Sequence, residues 1–314
     1  MLGIVVKSTG SWLYVESDSG EQFNCKLKGT FRTKGIKTTN PVAVGDRVSF
    51  TILEDSVTGL INEILPRNNY LIRKATKLSK VSHIIAANLD QAFAIVTLAL
   101  PRTSTGFIDR FLVTTEAYHI PAGIVFNKID LYDPRLNLQK ESLTKIYSDA
   151  GYKCFSVSAK TGTNIEILKK DLFGQKTLFS GHSGVGKSAL INALEPEMEL
   201  KTSELSGYHQ VGMHTTTFAE MLKLPAGGYI IDTPGIKEFG LSDFNRKEIA
   251  ERFPEMRRYM NECRFNDCTH VHEPGCAIQK AIKAGLIPES RYHNYLSILN
   301  DDYWKETEND YRST

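Results

Sequence analysis

The sequence predicts three successive units: a small β-barrel, a doubly wound α/β domain and a mainly helical C-terminal region. Three observations carry this. The first 66 residues break into five short strand-like runs, residues 91–236 alternate apolar runs with helical periodicity, and beyond Ser242 the pattern is mainly helical around a crowded cysteine and histidine cluster. Boundaries at 1–66, 67–241 and 242–314 suit a chain of 314 residues at about 150 residues per domain.

Composition narrows the class. Hydrophobic residues are 41% and charged residues 24% of the chain, close to the globular average, which excludes wholesale disorder. Net charge is +2, from 38 Lys and Arg against 36 Asp and Glu, so any polyanion contact must come from local clusters. Five cysteines, three of them between 263 and 276, make no disulfide framework and fit a reducing compartment. The N-terminus lacks the charged start and long apolar run of a signal peptide, and no run approaches about 20 apolar residues. A cytoplasmic protein that does not span a membrane is expected, with a monomer as the default.

The barrel is read from strands at 2–7, 12–16, 22–27, 47–53 and 59–65. An OB-like barrel is preferred, although an SH3-like barrel would give a similar strand count. Between residues 22 and 45 lie Lys26, Lys28, Arg32, Lys34 and Lys37 with no acid, while Gly29, Gly35 and Pro41 mark loop. Such a loop suits a polyphosphate contact, and an ordinary solvated loop has the same composition. Residues 66–69 read as a linker, followed by basic Arg73, Lys74, Lys77 and Lys80.

In the α/β unit, strands are expected at 92–98, 124–126, 153–157, 177–179, 217–224 and 229–231, and helices at 109–118, 140–150, 165–171 and 187–194. Buried-type strands alternating with helices imply a mostly parallel sheet covered on both faces. Its loops carry the chemistry. Gly181-His182-Ser183-Gly184-Val185-Gly186-Lys187-Ser188 fits G-x-x-x-x-G-K-[ST] between a strand and a helix. Backbone N–H groups of Gly181, Ser183, Gly184, Val185 and Gly186 would close around phosphates, Lys187 would neutralise the outer ones, and the Ser188 hydroxyl would ligate Mg²⁺. Asn127-Lys128-Ile129-Asp130 and Ser158-Ala159-Lys160 each follow a strand, at the carboxyl edge where open α/β sheets bind ligands. The Asp130 carboxylate would accept from the N1–H and exocyclic amine of guanine, and adenine would leave it unpaired, a discrimination worth ~10⁴ or more.

Asp232-Thr233-Pro234-Gly235 follows another strand, so Asp232 would reach Mg²⁺ through water and the Gly235 N–H would read the γ-phosphate. Polar residues 195–213 run into His214-Thr215-Thr216-Thr217, a segment suited to order around γ-phosphate and Mg²⁺. Thr216 is the favoured Mg²⁺ ligand, with Thr215 close behind. Many GTPases place a Gln after the Asp-x-x-Gly element to orient the attacking water, and here Ile236 stands there. Slow intrinsic turnover follows, and His214, beside the switch threonines, is the candidate catalytic residue. Further on, Cys263, Cys268 and Cys276 with a histidine place three thiolates and an imidazole within 14 residues, enough to close a tetrahedral Zn²⁺ shell. His270 and His272 compete for the fourth position. Cys25 and Cys154 read as packed small hydrophobes.

The guanine-reading elements at 127 and 158 precede the P-loop at 181, opposite to the order in most GTPases. With the preceding barrel and the stretch Cys263-Arg264-Phe265-Asn266-Asp267-Cys268-Thr269-His270-Val271-His272-Glu273-Pro274-Gly275-Cys276, nearly the whole chain resembles the circularly permuted, small-ribosomal-subunit-dependent GTPases called RsgA. The resemblance implies a GTPase acting in late small-subunit maturation through rRNA binding, with GTP, GDP and Mg²⁺ in the nucleotide site. It implies one structural zinc on Cys263, Cys268, His270 and Cys276, and a water-orienting role for His214. Met213 departs from a position that is often basic in that family. Two other readings fit the motifs: an RNA-binding module that senses nucleotide with negligible turnover, and a GTPase serving another RNA or a transport complex. Because Asp232 to Gly235 come last in the nucleotide domain, the chain passes directly from the switch into the C-terminal region. Nucleotide state is therefore expected to reposition that region against the barrel, with Arg246, Lys247, Arg252, Arg257 and Arg258 on the RNA-facing side.

Overall fold

The computed structural model describes residues 1–9, 12–28, 41–53, 58–74, 82–198, 219–232 and 248–300. The N-terminal strands β1 (Leu2–Ser8), β2 (Leu13–Ser17), β3 (Gln22–Leu27), β4 (Arg47–Ile52) and β5 (Thr58–Ile64) close on themselves in the order β1-β2-β3-β5-β4-β1. Every pairing is antiparallel except β3 with β5, which is parallel. That Greek-key closure is the OB-like arrangement. Val5, Val15, Cys25, Val48, Phe50 and Ile61, each with no measurable exposure, fill the barrel, because alternate residues of each strand point inward.

A hairpin follows, β6 (Tyr70–Lys74) with β7 (Ser82–Ala87). The linker reading of residues 66–69 missed how this hairpin is tied to the barrel. Arg67 donates from Nε to Asp46 Oδ1 and from Nη2 to Asp46 Oδ2, both at 2.6 Å, and Asp46 is fully buried. Val44 bridges Ala86, and a Cβ on Gly45, whose φ is +89°, would stand 2.1 Å from the Ala87 carbonyl oxygen. The basic side chains expected at 77 and 80, like those at 32, 34 and 37, lie outside the described residues.

The α/β unit is built from β8 (Gln91–Val96), β9 (Ala122–Phe126), β10 (Lys153–Ser156), β11 (Lys176–Ser180), β12 (Glu220–Lys223) and β13 (Tyr229–Asp232), with helices α1 (Thr105–Ala117), α2 (Pro134–Asp149), α3 (Ile165–Leu172) and α4 (Lys187–Leu194). Strand order is β10-β9-β8-β11-β13-β12, parallel except for β12, which runs antiparallel to β13. Alternation splits the core in two: Ala92, Ala94 and Val96 pack with α1 and α2, whereas Phe93 and Ile95 pack with α3 and α4. Two helices begin earlier than their periodicity predicts. Ser104 accepts from the Phe107 N–H to cap α1, and Asp133 accepts from the Leu136 N–H with Pro134 at the first turn of α2, so capping chemistry sets both starts.

The barrel continues this sheet: β1 pairs antiparallel with β12, joining Lys7 to Glu220. At the other end, α5 (Pro254–Arg257), α6 (Ala277–Lys283) and α7 (Glu289–Leu299) form a helical unit against α1. Arg291 of α7, 1% exposed, donates to Asp109 of α1 at 2.5 Å and to Glu255 of α5 at 2.5 and 3.2 Å, while Asn294 and Tyr147 also donate to Asp109. Rings of Tyr147, Tyr152 and Phe253 surround the guanidinium. Among the described residues no helix is long and apolar enough to cross a membrane.

Candidate functional site

Four loops meet at the carboxyl edge of the sheet, and one side chain ties three of them together. Asn127, at the end of β9 and 1% exposed, donates from Nδ2 to the Val185 carbonyl at 3.0 Å and accepts at Oδ1 from the Ala159 N–H at 3.2 Å. Lys128, held at φ +60°, donates from Nζ to the carbonyls of Leu100 and Gly184, both at 2.7 Å. Ser158, buried, donates from Oγ to Asp130 Oδ1 at 2.6 Å and accepts from the Thr161 N–H at 3.1 Å. Asp130 and Lys160 lie exposed on the rim, as do Ser183 and Gly184 at the tip of the P-loop. Thus residues 127–130, 158–160 and 181–188 share one crevice.

The glycines of the loop are set by sterics. Gly186 caps α4 at φ +89°, and a Cβ there would meet Asn127 Nδ2 at 2.7 Å. The first turn of α4 presents Lys187 and Ser188, both half-buried, at a helix N-terminus whose free N–H groups favour anions. Lys187 Nζ donates to the Gly181 carbonyl at 2.7 Å; burial lowers its pKa, and the charge of Asp232 opposes that. Burial likewise lowers the pKa of Lys128, opposed by Asp130. Asp232 shows the reverse: burial raises its carboxyl, Lys187 pulls it down, and Glu220 pushes it up. Its Oδ1 is buried with no hydrogen-bond partner among the described residues. An orphaned carboxylate oxygen within electrostatic reach of Lys187 fits a site for a hard dication with oxygen ligands.

Sequence reasoning missed three supports of this crevice. The Tyr132 hydroxyl donates to the Asn127 carbonyl and accepts from the Leu98 N–H, both at 2.9 Å, and burial pushes its pKa up to about 12. The loop after β8 supplies the Leu100 carbonyl to Lys128, and Phe107 at the start of α1 packs its ring 4.0 Å from that of His182. None has a local sequence signal, since each reaches a backbone group or a ring that only the fold brings near. His214, Thr216 and Gly235 lie outside the described residues.

In the C-terminal unit the ligand atoms of Cys263, Cys268, His270 and Cys276 all lie within 4.8 Å of one another. His270 Nδ1 stands 3.6 Å from both Cys263 Sγ and Cys276 Sγ, and His272 is exposed. Three thiols and one imidazole converging on a point form a donor set that can hold a metal ion, and zinc is the usual occupant of such a set. Burial and the neighbouring cysteines push the Cys268 thiol up to about 12. The shell is braced from behind. His270, at φ +61°, offers its carbonyl to Gln279 Nε2 and the Tyr292 hydroxyl, each at 2.8 Å. Glu273 accepts from the Thr269 hydroxyl and from the N–H groups of Thr269, Val271 and His272; against the burial that would raise it, the Thr269 hydroxyl first and then the Thr269 and His272 N–H groups hold its carboxyl at about 2. Cys25 and Cys154 stand apart, and burial raises both thiols, Cys25 to about 11.

Comparison with known proteins agrees with this order of elements. The family model for the RsgA N-terminal domain matches residues 2–61, and that for the RsgA GTPase matches residues 64–242. The chain is 54% identical over 301 residues to a protein of Bacteroides thetaiotaomicron named small ribosomal subunit biogenesis GTPase RsgA 2, covering 96% of this chain and 97% of that one. A Christiangramia forsetii relative named small ribosomal subunit biogenesis GTPase RsgA is 50% identical over 304 residues, with 96% of each chain covered. Among solved structures, YjeQ from Thermotoga maritima superposes with a TM-score of 0.78 at 38% identity, covering 95% of this chain and 96% of that one. YloQ, described as a circularly permuted GTPase, superposes at 0.74 with 29% identity, covering 95% and 93%. The barrel, the nucleotide-type loops in permuted order and the Cys3His cluster, taken with these matches across almost the full length, make the chain a member of the RsgA family of circularly permuted GTPases.

Proposed function

We propose that this GTPase hydrolyses GTP when it engages the small ribosomal subunit, in late maturation of that subunit, and that it does so as a cytoplasmic monomer contacting rRNA. The observation that carries the nucleotide part is Asn127, a buried amide linking the P-loop to the 158–160 turn and so holding the phosphate and base loops at one distance. The ribosomal part rests on the names of relatives that are 50–54% identical over nearly the full chain. The working units are residues 1–66 for RNA, 67–241 for nucleotide and 242–314 for the structural zinc.

In this reading Asp130, oriented by Ser158, accepts from the guanine N1–H and amine, while Ala159 and Lys160 border the base. The backbone N–H groups of Gly181 and Ser183 to Gly186 surround the phosphates, and Lys187 leaves the Gly181 carbonyl for the β- and γ-phosphate oxygens. Magnesium, held by Ser188 and Thr216 with Asp232 behind, would neutralise charge on those oxygens. The Gly235 N–H senses the γ-phosphate, and His214 orients the attacking water in place of the Gln that Ile236 replaces. Cys263, Cys268, His270 and Cys276 close a zinc shell with no open position, which assigns the metal to folding and not to chemistry.

Steady-state phosphate release titrated with purified small subunits tests this. A rise of at least about 10²-fold with saturation is expected, the scale on which a correctly placed hydrolytic group acts. Turnover that ignores the subunit, or equal affinity for ATP and GTP by calorimetry, overturns the reading.

A further inference from the structure

Where the barrel meets the GTPase sheet, three charged side chains stand in a row. Lys7 on β1 is the ladder partner of Glu220 on β12, with its Nζ 3.0 and 3.1 Å from the two Glu220 carboxylate oxygens. Glu220 in turn lies directly opposite Asp232 on β13. Opposed residues of an antiparallel pair leave the same face of the sheet with Cβ atoms roughly 5 Å apart. The next residues on that face, Leu222 and Ile230, belong to the core under α3 and α4, the side on which Lys187 stands. The electrostatics agree, since Glu220 pushes the Asp232 carboxyl up and Lys187 pulls it down. A second barrel contact, Lys223 with Glu16 at 2.5 Å, leaves β12 from the alternate position and so from the other face.

We propose that Lys7, a residue of the barrel, sets the magnesium affinity of the nucleotide site by neutralising Glu220 beside Asp232. The proposal rests on reading Asp232 as the magnesium-facing carboxylate. Its logic is one of fixed charge. A dication binds more tightly where the surroundings are more negative, so loss of Lys7 frees the full charge of Glu220 and tightens magnesium, and loss of Glu220 loosens it. Across the separation of one strand pair, in a half-exposed and salt-screened setting, one unit charge acting on a dication is worth roughly a threefold change in affinity. A residue that merely held the barrel in place would not give opposite signs.

The test uses the full-length protein, a fluorescent GDP analogue and a magnesium titration at fixed ionic strength. Lys7→Met is expected to lower the magnesium half-point about threefold and Glu220→Gln to raise it about threefold. The double variant is expected to return near the wild-type value. Lys223→Met, which loosens the barrel from the other face, is expected to leave the half-point unmoved. Shifts of Lys7→Met and Glu220→Gln in the same direction, no shift in either, or a Lys223→Met shift matching Lys7→Met overturns the proposal. Wild-type binding that ignores magnesium overturns the Asp232 reading and the proposal with it, whereas magnesium-dependent wild-type binding with unseparated variants overturns the Lys7 proposal alone.

Discussion

Arg291→Met removes the one guanidinium that faces both Asp109 and Glu255 in a site closed by Tyr147, Tyr152 and Phe253. Arg291, Asp109 and Glu255 have side-chain exposures of 1%, 0% and 5%, so neither carboxylate reaches water once its partner is gone. Methionine fills much of the volume, which leaves the charge as the dominant loss. Stripping one partner from such a buried set costs about 3–5 kcal/mol. At about 2 °C per kcal/mol for a chain of this size, melting should fall by roughly 6 °C or more at pH 8. The sign of the pH dependence follows from Asp109, whose carboxyl burial already raises while Arg291 and its hydrogen bonds hold it down. Without Arg291 its folded pKa rises further above the unfolded value. A carboxyl raised in this way binds its proton more readily when folded, so the variant loses stability as pH climbs and regains it as pH falls. The gap to wild type should therefore narrow from pH 8 to pH 5. The triple variant Arg291→Met, Asp109→Asn, Glu255→Gln should recover most of the loss, because no unpaired charge remains. Thermal melting of the three proteins at both pH values is the assay. A single variant within 1 °C of wild type at pH 8, or a triple variant less stable than the single, would refute the reasoning.

Asn127→Ala leaves the Val185 carbonyl and the Ala159 N–H unpaired in a buried site, a loss of about 2 kcal/mol or more that should weaken fluorescent GDP binding more than tenfold; equilibrium titration checks it. Chelation of the metal should lower protection of amides in residues 263–300 before those of the GTPase sheet, as read by hydrogen exchange. Because the Cys268 thiol sits at about 12 without metal, metal uptake should release protons and tighten as pH rises, measurable by calorimetry in buffers of different ionisation enthalpy. His214→Ala should cut subunit-stimulated hydrolysis by ~10²-fold with GTP affinity nearly kept, and unchanged stimulated turnover would remove His214 from the mechanism.

Much of the site was legible because its parts are local. Gly181 to Ser188 announce a strand, a phosphate loop and a helix start within eight residues, since small residues and left-handed backbone are needed at fixed offsets. The cysteine cluster was legible for the same reason. The starts of α1 and α2 were misjudged where periodicity was followed and the caps Ser104 and Asp133 were not. The hairpin of β6 and β7 escaped because a half-covered strand in a basic stretch has the composition of a loop. The C-terminal basic group also changed meaning: Arg257 is paired with Glu116 at 3.2 Å, and Arg258 donates to the Asp149 carbonyl.

The chain by itself determined the order of the three units, the nucleotide-type loops and the metal donors, because each rests on side-chain chemistry at short separations. Tertiary structure alone decided how those units are joined. Asp109 and Arg291 are 182 residues apart, and Lys7 and Glu220 are 213 apart. No periodicity or motif reports such pairs, since what makes them partners is the packing of two surfaces and the exclusion of water between them.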